Sequence, residues 1–430
     1  MHLYGSHTSG TYKPAFFSIF LNTPNVLTEE GRIDGPHGIV FFHEYIHFLQ
    51  DLFTNIGLRN IIHLIQEYSV VNNEILNNPA PTFVIPHQTT NEQVLLNTKM
   101  GNLIMGTPDI SYEQEDFGIV SIEMQLNEFD PSLPFDFIAV KILSKSTGEE
   151  DEFYLGALHF LENMAYLLER RFSLEDNAPP YPYKVVEKII KWYFPEGDVS
   201  DDNLITVMED ALQTYNPALY LHQLIEGFTT HQVPFNRTTI SGFAKTYKLP
   251  IGDQQHTLDK LFYENAVEAR RGFRILFAHT NLAVAKDWAN HVMSNVIAMK
   301  RGGFSFSELL TRGFDQDRVL KRTSSLIRKL GTPLIMDKKN IVFYNPPKPE
   351  FAPGMEYLLG LEAIISLLRG EFPCALLEVC QHLPDGTDRT NEHCLNAPWN
   401  RAQQLPRCVV GQLWIMWGFV QKGVVLAAHL

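Results

Sequence analysis

Cysteine is scarce in this chain: there are four among 430 residues, and all lie between positions 374 and 408. A disulfide-rich scaffold needs cysteine throughout a short chain, so that class is excluded. Positive charge is short as well, with 35 Lys and Arg against 49 Asp and Glu and a formal charge of −14. A phosphate backbone is gripped by clustered Lys and Arg that release counterions, so nucleic acid is not expected as a partner. One basic stretch, Lys300 to Lys329, holds eight Lys or Arg against three acids and reads as solvated helix faces. Long apolar runs are missing too. No window reaches the roughly 18 residues that a membrane helix requires, and the nearest, Val409 to Leu430, is broken by Gln412, Gln421 and Lys422. Met1 to Tyr12 lacks the basic start, apolar run and small-residue site of a secretory signal. The expectation is a soluble, cytoplasmic chain with no membrane partner.

What is present suffices for a core, since 45% of residues are hydrophobic and only 20% charged. Single cores stop growing at about 250 to 300 residues, so two or three packed units are expected. Residues 15–22 (AFFSIFLN), 117–126 and 134–143 are rich in branched and aromatic side chains and read as strands. Apolar periodicity predicts helices over 39–53 and 155–171 and within 204–226, 257–300 and 305–330. Asn345 to Pro353 carries four prolines and reads as a stiff linker. Residues 77–86 and 176–182 read as loops. The predicted class is α+β, predominantly helical, divided into a catalytic region over 1–235, a helical region over 236–345 and a small Cys-containing C-terminal cap over 346–430.

Residues 43 to 47 read His-Glu-Tyr-Ile-His. On a helix, two histidines four residues apart share a face and can share a metal. With His43 at the origin and about 100° per residue, His47 falls at about 40°, Asp51 at about 80°, Glu44 at about 100°, Gln50 at about −20° and Thr54 at about 20°. All the polar residues from 43 to 54 thus lie in one stripe, and Phe42, Tyr45, Ile46, Phe48, Leu49, Leu52 and Phe53 cover the rest. Catalytic zinc usually takes three protein ligands and leaves a fourth position open. A second helix carries a polar stripe of its own. On Leu155 to Glu169, Glu162, Tyr166, His159 and Glu169 share a polar stripe, and Ala165 is small enough to let two helices approach closely.

The motif resembles that of the HExxH zinc metallopeptidases, the zincins. Gln50 and Phe53 stand where the extended HExxHxxGxxH pattern needs Gly and His, so the closer resemblance is to the gluzincin branch, whose third ligand is a Glu on a later helix. What the resemblance implies is a zincin-like catalytic unit with a helical extension. It would hold zinc on His43, His47 and Glu162, and Glu44 would act as general base toward a metal-activated water that hydrolyses a peptide or protein substrate. Glu226 and Asp109 are rival third ligands. Tyr166, His159, Tyr220 and His231 are candidate transition-state donors, and the strand at 15–22 is a candidate cleft edge for an extended peptide. A catalytically inactive zincin-like regulatory or interaction protein is the alternative. Cys374, Cys380, Cys394 and Cys408 could bind a second, structural zinc, with His382 or His393 as substitutes; buried free thiols and disulfides stay open beside that reading.

Overall fold

The motif helix occupies Gly35–Phe53 in the computed structural model of the chain, and none of its polar residues from 43 to 54 faces water. His43, Glu44, His47, Gln50, Asp51 and Thr54 are all buried, as are Tyr45, Ile46, Phe48, Leu49, Leu52 and Phe53. The stripe is sealed, and each of its six polar side chains must find a partner inside the protein. Thr54 closes this helix and opens the next. Its hydroxyl donates to the Gln50 carbonyl at 2.7 Å and accepts the Gly57 N–H at 3.1 Å, capping the helix Asn55–Asn77.

The structure describes residues 10–23, 35–110, 116–126, 135–171, 178–197, 199–309, 316–339, 341–382 and 387–427. Among these, helices outweigh strands, and the chain is a mixed α+β protein, predominantly helical. A four-stranded sheet lies against the motif helix in the order Gly10–Lys13, Ser18–Leu21, Leu334–Asp337, Val342–Phe343. Its outer pairs are antiparallel and its central pair is parallel. The strand expected at 15–22 is therefore Ser18–Leu21, enclosed on both sides, and it cannot serve as a cleft edge. The edge beside the motif helix is Gly10–Lys13. Ala15 and Phe17 take positive φ in the connection between the two strands, which keeps 15–17 out of regular pairing.

A second sheet is an antiparallel meander of Phe117–Gln125, Phe137–Ser144 and Glu150–Leu155. It delivers the chain into the helix Ala157–Glu169 through Gly156. A Cβ at Gly156 would lie 2.3 Å from the backbone nitrogen of Gly106, so two glycines let the chain cross itself where this helix begins. The start expected at Leu155 moves to Ala157 because Leu155 belongs to the strand. The turn expected at 130–134 falls outside the described residues, as do 176–177 of the loop expected at 176–182.

The helical stretches expected within the later ranges are present. Asp201–Leu212 and Pro217–Thr230 cover 204–226, divided where Asn216 caps a new helix at Pro217. Leu258–Leu276 and Ala283–Arg301 cover 257–300, and Gln316–Leu330 lies within 305–330. The proline-rich segment is no free spacer. Its 3-10 helix, Pro349–Gly354, buries Phe351, whose ring meets His291 on the helix Ala283–Arg301. Thr82–Ile85, expected as loop, pairs in parallel with Gly423–Leu426. The apolar stretch Pro349–Leu368 is long enough to cross a membrane by composition alone and is 72% buried within the protein. One hydrophobic cluster runs from Tyr12 to Phe419.

Candidate metal centre

The buried stripe of the motif helix meets the helix Ala157–Glu169, whose Ala165 is fully buried and carries no bulk to hold the two apart. Across that contact Glu162 reaches both histidines. Its Oε2 lies 3.3 Å from His43 Nε2 and its Oε1 lies 3.3 Å from His47 Nε2. The two Nε2 atoms are 3.2 Å apart. Donors bound at about 2.1 Å around a tetrahedral zinc stand about 3.4 Å from one another, so the triangle already has the dimensions of three ligands sharing one ion.

The protons say the same. His43 Nδ1 lies 2.8 Å from Glu169 Oε2, and a carboxylate only accepts, so this nitrogen carries the hydrogen. His47 Nδ1 lies 2.7 Å from Gln50 Oε1. Gln50 donates from Nε2 to the Leu161 carbonyl at 3.0 Å, which settles the end of the amide that faces the histidine. Both imidazoles are thereby held in the tautomer whose Nε2 is a bare lone pair. Two lone pairs and a carboxylate then converge, with Glu162 only 1% exposed, and a cation is what such a cluster accepts. Without a metal, protons take that role. Burial pushes the His43 imidazole down, but hydrogen bonds to Glu162 and Glu169 outweigh it and hold the group well above its ordinary range. His47 is raised for a like reason: the charge and hydrogen bond of Glu162 overcome burial. Burial would raise the Glu162 carboxyl, yet the His47 and His43 imidazoles hold it well below the usual carboxylate range.

Glu44 sits beside the cluster, on the side of the edge strand. The Tyr12 N–H donates to it, and burial raises its carboxyl above the ordinary range although His43 and His47 pull it down. Gly10 is required here, because a Cβ would lie 2.9 Å from Glu44 Oε1 and 2.7 Å from Val40 Cγ1. Asp51 fastens the same strand: its Oδ2 accepts the Tyr12 hydroxyl at 2.8 Å and the Ala15 N–H at 2.7 Å, and burial lifts its carboxyl to about 6.

Other sequence-predicted residues stand elsewhere. His159 is fully buried, receives the Gly156 N–H at 3.1 Å and meets the Tyr181 hydroxyl at 2.9 Å, a structural arrangement that leaves it no free atom for substrate. Burial lowers its pKa to about 4, so it is neutral. Tyr166 packs on Tyr183 with Lys184 and Arg170 over its ring. Tyr183 is the ring that reaches His43, at 5.9 Å between centroids. Tyr220 is buried against Phe243 and Tyr247, and Glu226, Asp109 and His231 are exposed on other surfaces. Sequence reasoning did not assign roles to Glu169, Gln50 and Tyr183. The first two lay on the polar stripes of their helices, a usable signal; Tyr183 follows a stretch without periodicity and had none.

The fold and the site together define a mixed α+β, predominantly helical protein with a buried His-His-Glu group that could hold a metal ion. Compared with known protein families, curated proteins and solved structures, the chain matches none.

Proposed function

We propose that this chain is a zinc-dependent hydrolase of peptide bonds, built on a zincin-like catalytic unit of the gluzincin kind. The observation that carries the reading is the convergence of His43 Nε2, His47 Nε2 and the Glu162 carboxylate, with both imidazole tautomers fixed by Glu169 and Gln50. The set of two neutral imidazoles and one carboxylate is the donor chemistry of catalytic zinc, with three protein ligands and one position left for exchange.

Zinc, when bound, supplies a Lewis acid that polarises a carbonyl and makes a neighbouring water acidic. The residues of the chain do the rest. Glu44 takes a proton from the attacking water at a carboxylate oxygen and hands it to the leaving amine nitrogen. Burial raises its carboxyl above the ordinary range, which makes it a stronger base toward the water than an exposed carboxylate. Glu169 and Gln50 hold the two rings in line. The edge strand Gly10–Lys13 offers backbone groups beside Glu44, where an extended peptide would lie as an added strand. Solvent reaches this region along Glu169, whose side chain is 28% exposed.

The test is Glu44→Gln. The variant should keep its zinc, as read by elemental analysis, while hydrolysis of a casein or peptide-library substrate falls by roughly 10² to 10⁴. Undiminished hydrolysis by a zinc-loaded Glu44→Gln chain would refute the assigned base. A wild-type chain that binds zinc and hydrolyses nothing would favour the regulatory alternative.

A further inference from the structure

A second cluster of metal-ligating side chains lies in the C-terminal stretch and uses all four cysteines of the chain. Cys374 precedes the short helix Leu377–Gln381, Cys380 lies within it, Cys394 sits in the single turn His393–Asn396, and Cys408 caps the helix Val409–Met416. All four are free thiols. They come from separate loops and turns, yet all line one cavity of about 20 Å³, which is room for a single water or ion. The other three thiols lie near enough to Cys374 for each to disfavour charge on it.

Burial pushes the Cys374 thiol up to about 12 and the Cys380 thiol up to about 11, so a cation is needed to draw off their protons, and donors that would steady the resulting thiolates are in place. The Gly411 N–H points at Cys408 Sγ at 3.4 Å, and the Leu376 N–H donates to Cys374. Arg401 lines the cavity, is 9% exposed, and its Nε has no hydrogen-bond partner among the described residues. A buried donor left unmatched is destabilising, and an anionic sulfur would satisfy it. Arg389, an exposed residue, also borders the cavity, and its charge and that of Arg401 both favour a thiolate at Cys380.

We propose that Cys374, Cys380, Cys394 and Cys408 bind one zinc ion as a structural site that ties the loops of residues 374–408 to the last helix. Each thiol gives its proton to solvent as its zinc–sulfur bond forms, and Arg389 and Arg401 offset the doubly negative centre of four thiolates around a divalent ion. Among the described residues only His43, His47 and Glu162 bring three donor atoms within 4.8 Å of one another. The sulfurs are therefore drawn together on binding by rotation about Cα–Cβ, toward bonds of about 2.3 Å. A cavity for one ion leaves no room for an iron–sulfur cluster with its inorganic sulfides.

The site is tested with the full chain, purified under reducing conditions and freed of loose metal. Elemental analysis of the unaltered protein should find two zinc ions per chain. A His43→Ala/His47→Ala variant should keep one, released in step with thiol modification by p-hydroxymercuribenzoate. Cobalt(II) loaded into that variant should show thiolate-to-cobalt charge-transfer bands and the intense visible bands of a tetrahedral centre. Cys394→Ser should lose those bands; should it fail to fold, the cobalt spectrum of the histidine variant decides alone. A histidine variant that folds without zinc and without these bands, or a mass showing two disulfides in the native chain, overturns the proposal. None of these readouts depends on hydrolysis, so the cysteine site and the peptidase reading fail separately.

Discussion

The His-His-Glu cluster and the cysteine quartet differ in how their donors are held. The first stands on two long helices, with Nδ1 of each histidine engaged and the three donor atoms at ligand spacing. The second stands on short turns and a helix cap, with its sulfurs around a cavity but wider apart. A rigid triangle fixes geometry before any ion arrives, which suits a site that must keep one position free for chemistry. Loop-borne thiols gather around their ion, so binding there is coupled to local ordering and its free energy becomes stability.

That contrast can be broken or sharpened. The largest effect expected after those already described is from Glu169→Ala, which removes the acceptor that orients His43. Zinc affinity at the histidine site should fall about 10- to 100-fold, with zinc held by thiolates unchanged. Competition titration with a chromophoric chelator reads both. Equal weakening of the two sites would mean that Glu169 acts through global stability and not through His43.

pH should separate the metal-free and zinc-loaded forms next. In the metal-free chain, the raised His43 and His47 contribute stability that is full below about 6.5 and is lost as pH rises through their folded values. The depressed Glu162 contributes stability that is full above about 4.3 and is lost as pH falls through its own folded value. The metal-free protein should therefore melt highest in the weakly acidic window between them and decline on the alkaline side. Zinc takes the place of the protons and should move that maximum upward. Melting curves from pH 5 to 8.5, with and without chelator, check this; superimposable profiles would show that the cluster does not exchange protons for metal.

The smallest effect belongs to the joint behind the motif helix. Thr54→Ala removes both the bond to the Gln50 carbonyl and the cap on Gly57, a loss of about 1 kcal/mol. Denaturant midpoints should fall while zinc content stays constant. A drop in zinc content would show that the helix joint itself holds the ligands in register.

The amino-acid sequence by itself determined what depends on neighbours along the chain. His43 and His47 share a face because a helix turns every 3.6 residues, and the same geometry put Gln50 on the first polar stripe and Glu162 and Glu169 on the second. Local periodicity and residue pattern were also enough to indicate a mostly helical α+β chain. Tertiary structure decided the rest. Only packing sealed the polar stripe from water, brought Glu162 across 119 residues to His43, and set Tyr183 rather than His159 beside the histidines. It likewise enclosed Ser18–Leu21 between two strands, buried Phe351 in a segment whose prolines suggested a spacer, and drew the cysteines to one cavity. The physical reason is range: periodicity reports which side chains point the same way, whereas which surfaces meet is set by loop closure and burial between segments far apart in sequence, and those leave no local pattern to read.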